Sequence, residues 1–320
     1  MLREVHPRAA LTPGHRVDMV RHLHGRGWAL ASYDGTVTLT DAELALESRL
    51  DLGMTLTDLE FAADGTWAWI GESGLWTGTP GEPRPGPENA GSVRWADDDL
   101  WIAWEDDGLA AQIAVELCDR EYKTLAATTV PELYGGSGVW FHPHPDPGAV
   151  VMWVAGPAWA GSESYVITRE GGALRAQPVP FERGGPAVFA DGGLLIAVPD
   201  LVRASWPDCA ELGRLPWTDI SPDPHDERPT RDLCPLPGGK AAWGSSSRRV
   251  RVVDLDTMTV EAEVVLDGHP VRTFSAFYAA PGIGSPHGDL THFTCGGGDV
   301  VSVHSDQEVL LSAAADWAGA

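Results

Sequence analysis

Short apolar runs separated by turn residues recur along the whole chain, and no long segment keeps the spacing of a helix. The most apolar runs are spaced about 44 residues apart on average, enough for four short strands with their turns. They begin near Trp28, Trp67, Trp101, Val151, Leu194, Ala241 and Leu290. A repeat of this length is typical of the blades of a β-propeller.

The composition of these runs predicts strands that are covered on both sides. They lack a clean alternation of apolar and polar residues, as expected when both faces of a sheet are buried. Aspartate-glycine dipeptides tolerate the positive φ of tight hairpins. They occur at residues 34–35, 64–65, 107–108, 191–192 and 267–268.

A shorter apolar run precedes each of these strands, and we predict it to be the innermost strand of a blade. The innermost strands are expected at residues 19–23, 58–62, 92–96, 138–142, 187–191, 232–236 and 276–280. The sequence therefore predicts an all-β protein, a single β-propeller with seven four-stranded blades. A count of six blades is the alternative.

Two segments depart from the repeat. Residues 78–91 contain four prolines, which cannot donate to a strand ladder, so we predict a loop or a sheet edge there. On this interpretation the second unit lacks its outer strand. An N-terminal segment at 1–15 precedes the propeller domain at 16–320, and its residues 2–11 are free to add an outer strand or clasp the ring. The final strand, within 308–316, is expected to complete its own blade.

Two stretches resemble the repeats of WD40 or YVTN-type propellers. One is RVRVVDLDTMTVEAEVVLDGHPV at 249–271, where Gly268-His269 matches the Gly-His pair of WD40 repeats. The other is ALASYDGTVTLTDAELAL at 29–46, with Thr40-Asp41 at the place of the Trp-Asp pair. The resemblance implies a seven-bladed propeller that serves as a platform, and it implies no particular activity.

The negative net charge argues against some classes of binding partner. The chain has 46 acidic and 22 basic residues, a net charge of −24, which repels phosphate backbones and anionic lipid. We therefore predict no nucleic-acid partner and no membrane partner. The longest apolar run, at 149–155, is far shorter than the roughly 20 residues of a membrane span.

The N-terminus lacks the apolar stretch of a secretory signal. We therefore predict a cytoplasmic protein, taken as a monomer. The four cysteines, Cys118, Cys209, Cys234 and Cys295, form no CxxC pair and are expected to be buried reduced thiols.

The innermost strands supply the candidate ligand-binding residues of a central channel. One position on each strand is expected to line it, occupied by Arg21, Glu60, Arg94, Trp140, Phe189, Cys234 and Tyr278. Arg21 and Arg94 are candidates for gripping a substrate carboxylate. The alternative is that an arginine pairs with Glu60 or an aspartate and plugs the channel.

Candidate acids and bases lie near the predicted channel mouth. Asp58 and Asp232 begin innermost strands, and His225 lies among carboxylates in the loop at 217–232. A histidine beside carboxylates can exchange protons near neutral pH. The alternative for this loop is a solvated polar segment.

Metal binding is the weakest candidate chemistry. His22 and His24, like His142 and His144, have the i, i+2 spacing that places two imidazoles on one face of a strand. The alternative is a turn at the end of each strand. The acidic run at 105–107 is a candidate for a hard cation, or a solvated turn, and we predict no bound metal and no cofactor.

Exposed loops offer the remaining candidate site. The loops at one end of the strands, called the top face, include residues 78–91 and the turns at Tyr33 and Glu72, and they contain Tyr134 and Trp159 among many carboxylates. We predict an interaction or ligand-binding module whose acidic, aromatic-containing top face binds a protein partner. The alternative is a small-molecule enzyme of the lyase, isomerase or hydrolase type, with acid and base groups at the channel mouth and a small-molecule ligand there.

Overall fold

A computed structural model describes residues 1–96, 98–104, 112–131, 138–156, 161–181, 187–197, 199–221, 229–245, 249–266, 269–270, 290–304 and 307–319. The protein is an all-β, seven-bladed β-propeller, which confirms the predicted fold class and the count of seven. Neither of the two short helices in the described part of the chain is long or apolar enough to span a bilayer.

The first three blades follow one another along the chain, each running from its innermost to its outermost strand. Blade 1 contains β3 (Met19–His22), β4 (Trp28–Ala31), β5 (Thr36–Thr40) and β6 (Leu46–Asp51). Blade 2 contains β7 (Leu56–Phe61), β8 (Trp67–Gly71), β9 (Gly74–Thr79) and β10 (Glu82–Pro85). Blade 3 contains β11 (Ala90–Ala96), β12 (Asp99–Trp104), β13 (Gln112–Cys118) and β14 (Thr124–Pro131).

The next two blades keep the same order. Blade 4 contains β15 (Gly138–Pro143), β16 (Ala149–Ala155), β17 (Ser162–Glu170) and β18 (Ala173–Val179). Blade 5 contains β19 (Val188–Ala190), β20 (Gly193–Ala197), β21 (Leu201–Ser205) and β22 (Glu211–Leu215), followed by α1 (Trp217–Ile220).

The last two blades each take a strand from the N-terminus. Blade 6 contains β23 (Pro229–Leu236), β24 (Lys240–Ser245), β25 (Val250–Asp254), β26 (Thr259–Leu266) and β27 (His269–Pro270), with β1 (Leu2–Val5) added in parallel along β26. Blade 7 contains β28 (Leu290–Gly296), β29 (Asp299–His304) and β30 (Val309–Ala313), with β2 (Ala9–Leu11) as its antiparallel outer strand. Helix α2 (Ala314–Ala318) follows β30.

Residue contacts divide the chain into two compact units. Unit 1 comprises Met1–Ala31, Thr38–Arg49 and Val188–Ala320, and unit 2 comprises Ser32–Val37 and Leu50–Ala187.

Adjacent residues of the central strands pack into different cores. On β12, Trp101 lies in the apolar cluster shared by blades 3 and 4, whereas Ile102 lies in the cluster shared by blades 2 and 3. Both side chains are fully buried. This two-sided burial explains why these strands show no alternation of apolar and polar residues.

The seventh unit was assigned in the wrong register. The run at Leu290, predicted as a second strand, is the innermost strand β28, and β29 is the second strand. The final strand does not complete the blade either, because β2 supplies the outer strand and the chain turns into α2 after Ala313. A strand donated from the other end of the chain leaves no trace in the local repeat.

The proline-rich segment 78–91 was predicted to be a loop or a sheet edge, and the structure shows a sheet edge at Glu82–Pro85. Among the described strands, β10 pairs only with β9, and it is exposed along its length, so blade 2 does have an outer strand. Pro83 and Pro85 are tolerated there because an edge strand needs only one row of ladder hydrogen bonds.

The expectation for the cysteines was wrong for one pair. Cys118 and Cys209 are free and buried, but Cys234 and Cys295 form a disulfide. They lie 61 residues apart in sequence, so no local cysteine spacing could predict that they pair.

Candidate functional site

The structure describes only some of the predicted site residues. His225, Tyr278, Tyr134, Trp159 and the acidic run at 105–107 lie outside the described residues. For Asp232 the structure describes the backbone, which is part of β23. The roles proposed for these residues stay predictions.

Asp58 ties together the innermost strands of three blades in unit 2. Its side chain accepts hydrogen bonds from Ser92 Oγ at 2.8 Å, from the Val93 N–H at 3.1 Å and from the Leu59 N–H at 2.9 Å. Ser92 Oγ in turn accepts the N–H of Phe141 at 3.2 Å. Asp58 is only 5% exposed, so this buried network satisfies backbone and side-chain donors that water does not reach.

The second polar contact on the same strands is an ion pair. Arg94 donates to Glu60 across blades 2 and 3 at 3.0 Å, and both side chains are largely buried. This is the internal pairing that the sequence left open as the alternative to an anion clamp. The guanidinium of Arg94 is therefore already engaged with a carboxylate.

Trp140 forms an aromatic platform on the innermost strand of blade 4. Its indole stacks on Trp153 with ring centroids 4.9 Å apart, and it remains 39% exposed. The ring folds back over Gly138, where a Cβ would collide with it. A residue with a side chain at position 138 would displace this platform.

In unit 1, Arg21 and His22 lie on β3. Arg21 donates to the carbonyl of Val20 at 3.2 Å. The imidazole of His22 packs edge-on against Trp28 with centroids 5.0 Å apart. Burial, assisted by the neighbouring His24, lowers the pKa of His22 below its usual range.

The two H-x-H pairs do not assemble a metal site among the described residues. His24 lies beyond the end of β3 in a turn with φ of 46°. His144 also lies beyond its strand, where Nδ1 accepts the N–H of Asp146 at 2.9 Å and burial lowers the pKa. No group of three or more potential ligands is positioned for a metal in the described part of the chain.

Four loops of unit 2 lie side by side at one end of the blades. The carbonyl of Tyr33 accepts the N–H of Leu56 at 2.9 Å, and that of Gly35 accepts the N–H of Leu52 at 3.1 Å. Gly35 has a φ of +91°, and a Cβ there would collide with the carbonyl of Met54. The β4–β5 turn therefore touches the β6–β7 loop along the backbone.

The contact continues across blade 2. A Cβ on Gly71 would lie 2.8 Å from Met54 Sδ, and the N–H of Leu75 donates to the carbonyl of Pro87 at 2.9 Å. At Gly74, with φ of +98°, a Cβ would lie 2.5 Å from the same carbonyl. We call the resulting surface the acidic ledge, defined by residues 32–36, 51–55, 71–74 and 86–89.

The acidic ledge carries negative charge without any basic residue of its own. Its exposed carboxylates are Asp34, Asp51, Glu72 and Glu88, and it contains no lysine, arginine or histidine. Tyr33 is 53% exposed and Met54 is half-buried, so apolar surface lies beside the carboxylates. An aromatic ring within a negative field is suited to a cationic side chain.

Three carboxylates at the other end of blades 2 and 3 are ion-paired with arginines. Arg120 bridges Asp64 and Asp98 at 2.7 Å each, and Arg169 binds Asp99 at 2.9 Å. The Thr66 N–H and then the Arg120 guanidinium lower the pKa of Asp64 to about 2. Within the described part of unit 2, no comparable salt bridge reaches Asp51, Glu72 or Glu88.

The sequence identified part of this surface. It placed Tyr33, Glu72 and residues 78–91 on the top face, and missed the loop at 51–55. One signal was present, because Asp51 precedes Gly53 by two residues and its carboxylate accepts the Gly53 N–H at 2.8 Å. That spacing is typical of an Asx turn.

Comparisons with known proteins define the fold and not a family. No protein-family model matches the chain, and no curated protein matches it. Among solved structures it is similar to BamB from Moraxella catarrhalis, with a TM-score of 0.55 and 12% identity, covering 96% of this chain and 99% of that one. A likeness at this identity supports a β-propeller and leaves the WD40 assignment unconfirmed.

Proposed function

We propose that the protein is an interaction module whose acidic ledge binds an arginine- or lysine-rich segment of a protein partner. The observation that carries the proposal is the difference between the two ends of unit 2. Asp64, Asp98 and Asp99 at one end are ion-paired with arginines, whereas the ledge has four exposed carboxylates and no basic residue of its own. A β-propeller is consistent with such a role because its loops are held on a rigid scaffold.

Two features of the ledge favour a basic segment over a simple cation. Glu72 and Glu88 are brought close by the contact of their loops at Gly74, so successive positive charges of one segment reach both. Tyr33 offers an exposed ring for cation–π contact with arginine, worth about 0.5–1 kcal/mol at such a site. Attraction of this kind also speeds association and weakens as salt rises.

The test is a binding titration with a labelled peptide of alternating arginine and glycine. The variant E72K/E88K should weaken binding about tenfold, which corresponds to about 1.4 kcal/mol. Tyr33→Ala should weaken it about threefold, and Tyr33→Phe, which keeps the ring, should bind like the wild type.

The matched control changes overall charge by the same amount outside the ledge. Glu4 and Glu170 are exposed, and the only described ion pair of either is a 3.8 Å contact from Glu170 to Arg175. The variant E4K/E170K should therefore bind within twofold of the wild type. Equal losses in the two double variants would mean that net charge, and not the ledge, attracts the peptide, and would overturn the proposal.

A cytoplasmic location and the enzyme alternative with Asp58, Asp232 or His225 as acid or base stay predictions. The contacts that support a structural role for Asp58 are its three hydrogen-bond donors and its burial.

A further inference from the structure

The disulfide of unit 1 joins the innermost strands of two neighbouring blades. Cys234 lies on β23 of blade 6 and Cys295 on β28 of blade 7, with Cα atoms 6.0 Å apart, inside the usual range for a disulfide. No other described covalent bond links these blades except the chain itself. We call the contact between blades 6 and 7 the seam.

Both ends of the chain meet at the same seam. Strand β1 extends blade 6 and β2 completes blade 7, so residues 6–8 cross between them. Val5 and Trp317, each almost fully buried, pack in one apolar cluster with Cys234, and Cys295 lies against it. Strand β1 and helix α2 therefore depend on the packing around the disulfide.

A polar contact fixes the two ends to blade 6. Arg3 donates to the carbonyl of Trp317 at 2.8 Å and pairs with Glu261 at 3.1 Å. Lys240 pairs with Glu261 at 2.9 Å and donates to the carbonyl of Ala318 at 2.9 Å. The contacts of Arg3 and the hydrogen bond from Lys240 to Ala318 form only while β1 and α2 stay docked beside blade 6.

The four cysteines differ in accessibility. Cys118, Cys209 and Cys234 are buried, and burial with the nearby Glu116 raises the pKa of Cys118 to about 12. Cys295 is only half-buried, so an external thiol reaches its sulfur first. After reduction, a Cys295 thiol would have the carbonyl of Pro235, 3.5 Å from its sulfur, as a hydrogen-bond acceptor.

We propose that Cys234 and Cys295 form a reversible redox site that locks the seam. A dithiol reductant opens it by thiolate attack on Cys295 Sγ, which breaks the disulfide and releases the Cys234 thiolate. The second reductant thiol then displaces Cys295, so that the protein gains two electrons and two protons while the reductant becomes a disulfide. A disulfide oxidant reverses the exchange.

The first measurement counts thiols in the full chain by alkylation in denaturant, followed by mass spectrometry. Protein purified under air should show two alkylated cysteines before reduction and four after it. Four alkylated cysteines before reduction would overturn the proposal, because the site would then not be oxidised.

The second measurement is hydrogen–deuterium exchange of the native protein, oxidised and reduced. Amides of 2–5 and 314–318 should exchange about tenfold faster after reduction, while those of β12 and β16 in unit 2 stay unchanged. Equal exchange rates of these amides in the oxidised and the reduced protein would contradict the proposal that the disulfide locks the seam.

Variants separate this effect from general damage by the reductant. C118S/C209S should keep the redox response, whereas C234S/C295S should exchange at the fast rate whether or not reductant is present. If C234S/C295S does not fold, C295S serves in its place, because it also prevents the bond while keeping Cys234 in the core. A redox response that survives in C234S/C295S or in C295S would contradict the proposal.

Discussion

At the scale of single residues, the chemistry of a side chain was easier to predict than its partner. The sequence marked Asp58, Glu60 and Arg94 as polar groups on innermost strands, and they do lie there. It could not show that Asp58 binds Ser92, because these residues are 34 positions apart and meet only when blades 2 and 3 pack. A buried carboxylate that accepts several hydrogen bonds serves mainly to satisfy buried donors, which is a structural role.

The structural role of Asp58 predicts a large loss of stability on truncation. Asp58→Ala strands the donors of Ser92, Val93 and Leu59, and should lower the free energy of unfolding by about 3 kcal/mol in a urea titration. Asp58→Asn keeps the shape and one acceptor oxygen, so its loss should be about half as large.

A matched control removes a neighbouring group of the same network. Ser92→Ala should lower the free energy of unfolding by about 1 kcal/mol, since it strands the Phe141 N–H and removes one donor to Asp58, which keeps the N–H donors of Leu59 and Val93. Unchanged unfolding of Asp58→Ala would show that the network contributes little, and would favour the predicted acid/base role instead.

At the scale of elements, the regular strands were predictable, whereas the donated ones were offered only as one of two alternatives for residues 2–11. The second strands of six blades follow from their apolar runs, and the described Asp-Gly turns have the expected positive φ, as at Gly35 and Gly65. Strands β1 and β2 carry no such signal, because their pairing partners lie near the other end of the chain. This is why the seventh unit was placed one strand out of register.

The donated strands predict a stability test. Deletion of residues 1–12 removes β1 and β2, exposes the outer side of β30 and leaves the Val5 position in the core empty. The melting temperature should fall by roughly 10 °C, the effect of a few kcal/mol in a chain of this size. Deletion of residues 1–7 keeps β2 and should give a smaller fall. A melting temperature unchanged by the longer deletion would show that these strands do not hold the blades.

At the scale of the whole molecule, the charge of −24 is unevenly neutralised. The sequence places carboxylates in turns but cannot say which are paired, because Arg120 reaches Asp98 over 22 positions and Arg169 reaches Asp99 over 70. Only the folded arrangement shows that unit 2 pairs Asp64, Asp98 and Asp99 at one end and leaves the acidic ledge without basic residues. This contrast is the basis of the proposed function.

The most direct test of the ledge is hydroxyl-radical footprinting of the protein with and without the arginine-glycine peptide. Tyr33 and Met54, both readily oxidised, lie on the ledge, while the exposed Met1 and Trp140 lie outside it. The peptide should reduce oxidation of Tyr33 and Met54 and leave Met1 and Trp140 unchanged. Protection of Trp140 with no change at Tyr33 and Met54 would contradict the account and place the peptide on the innermost strands.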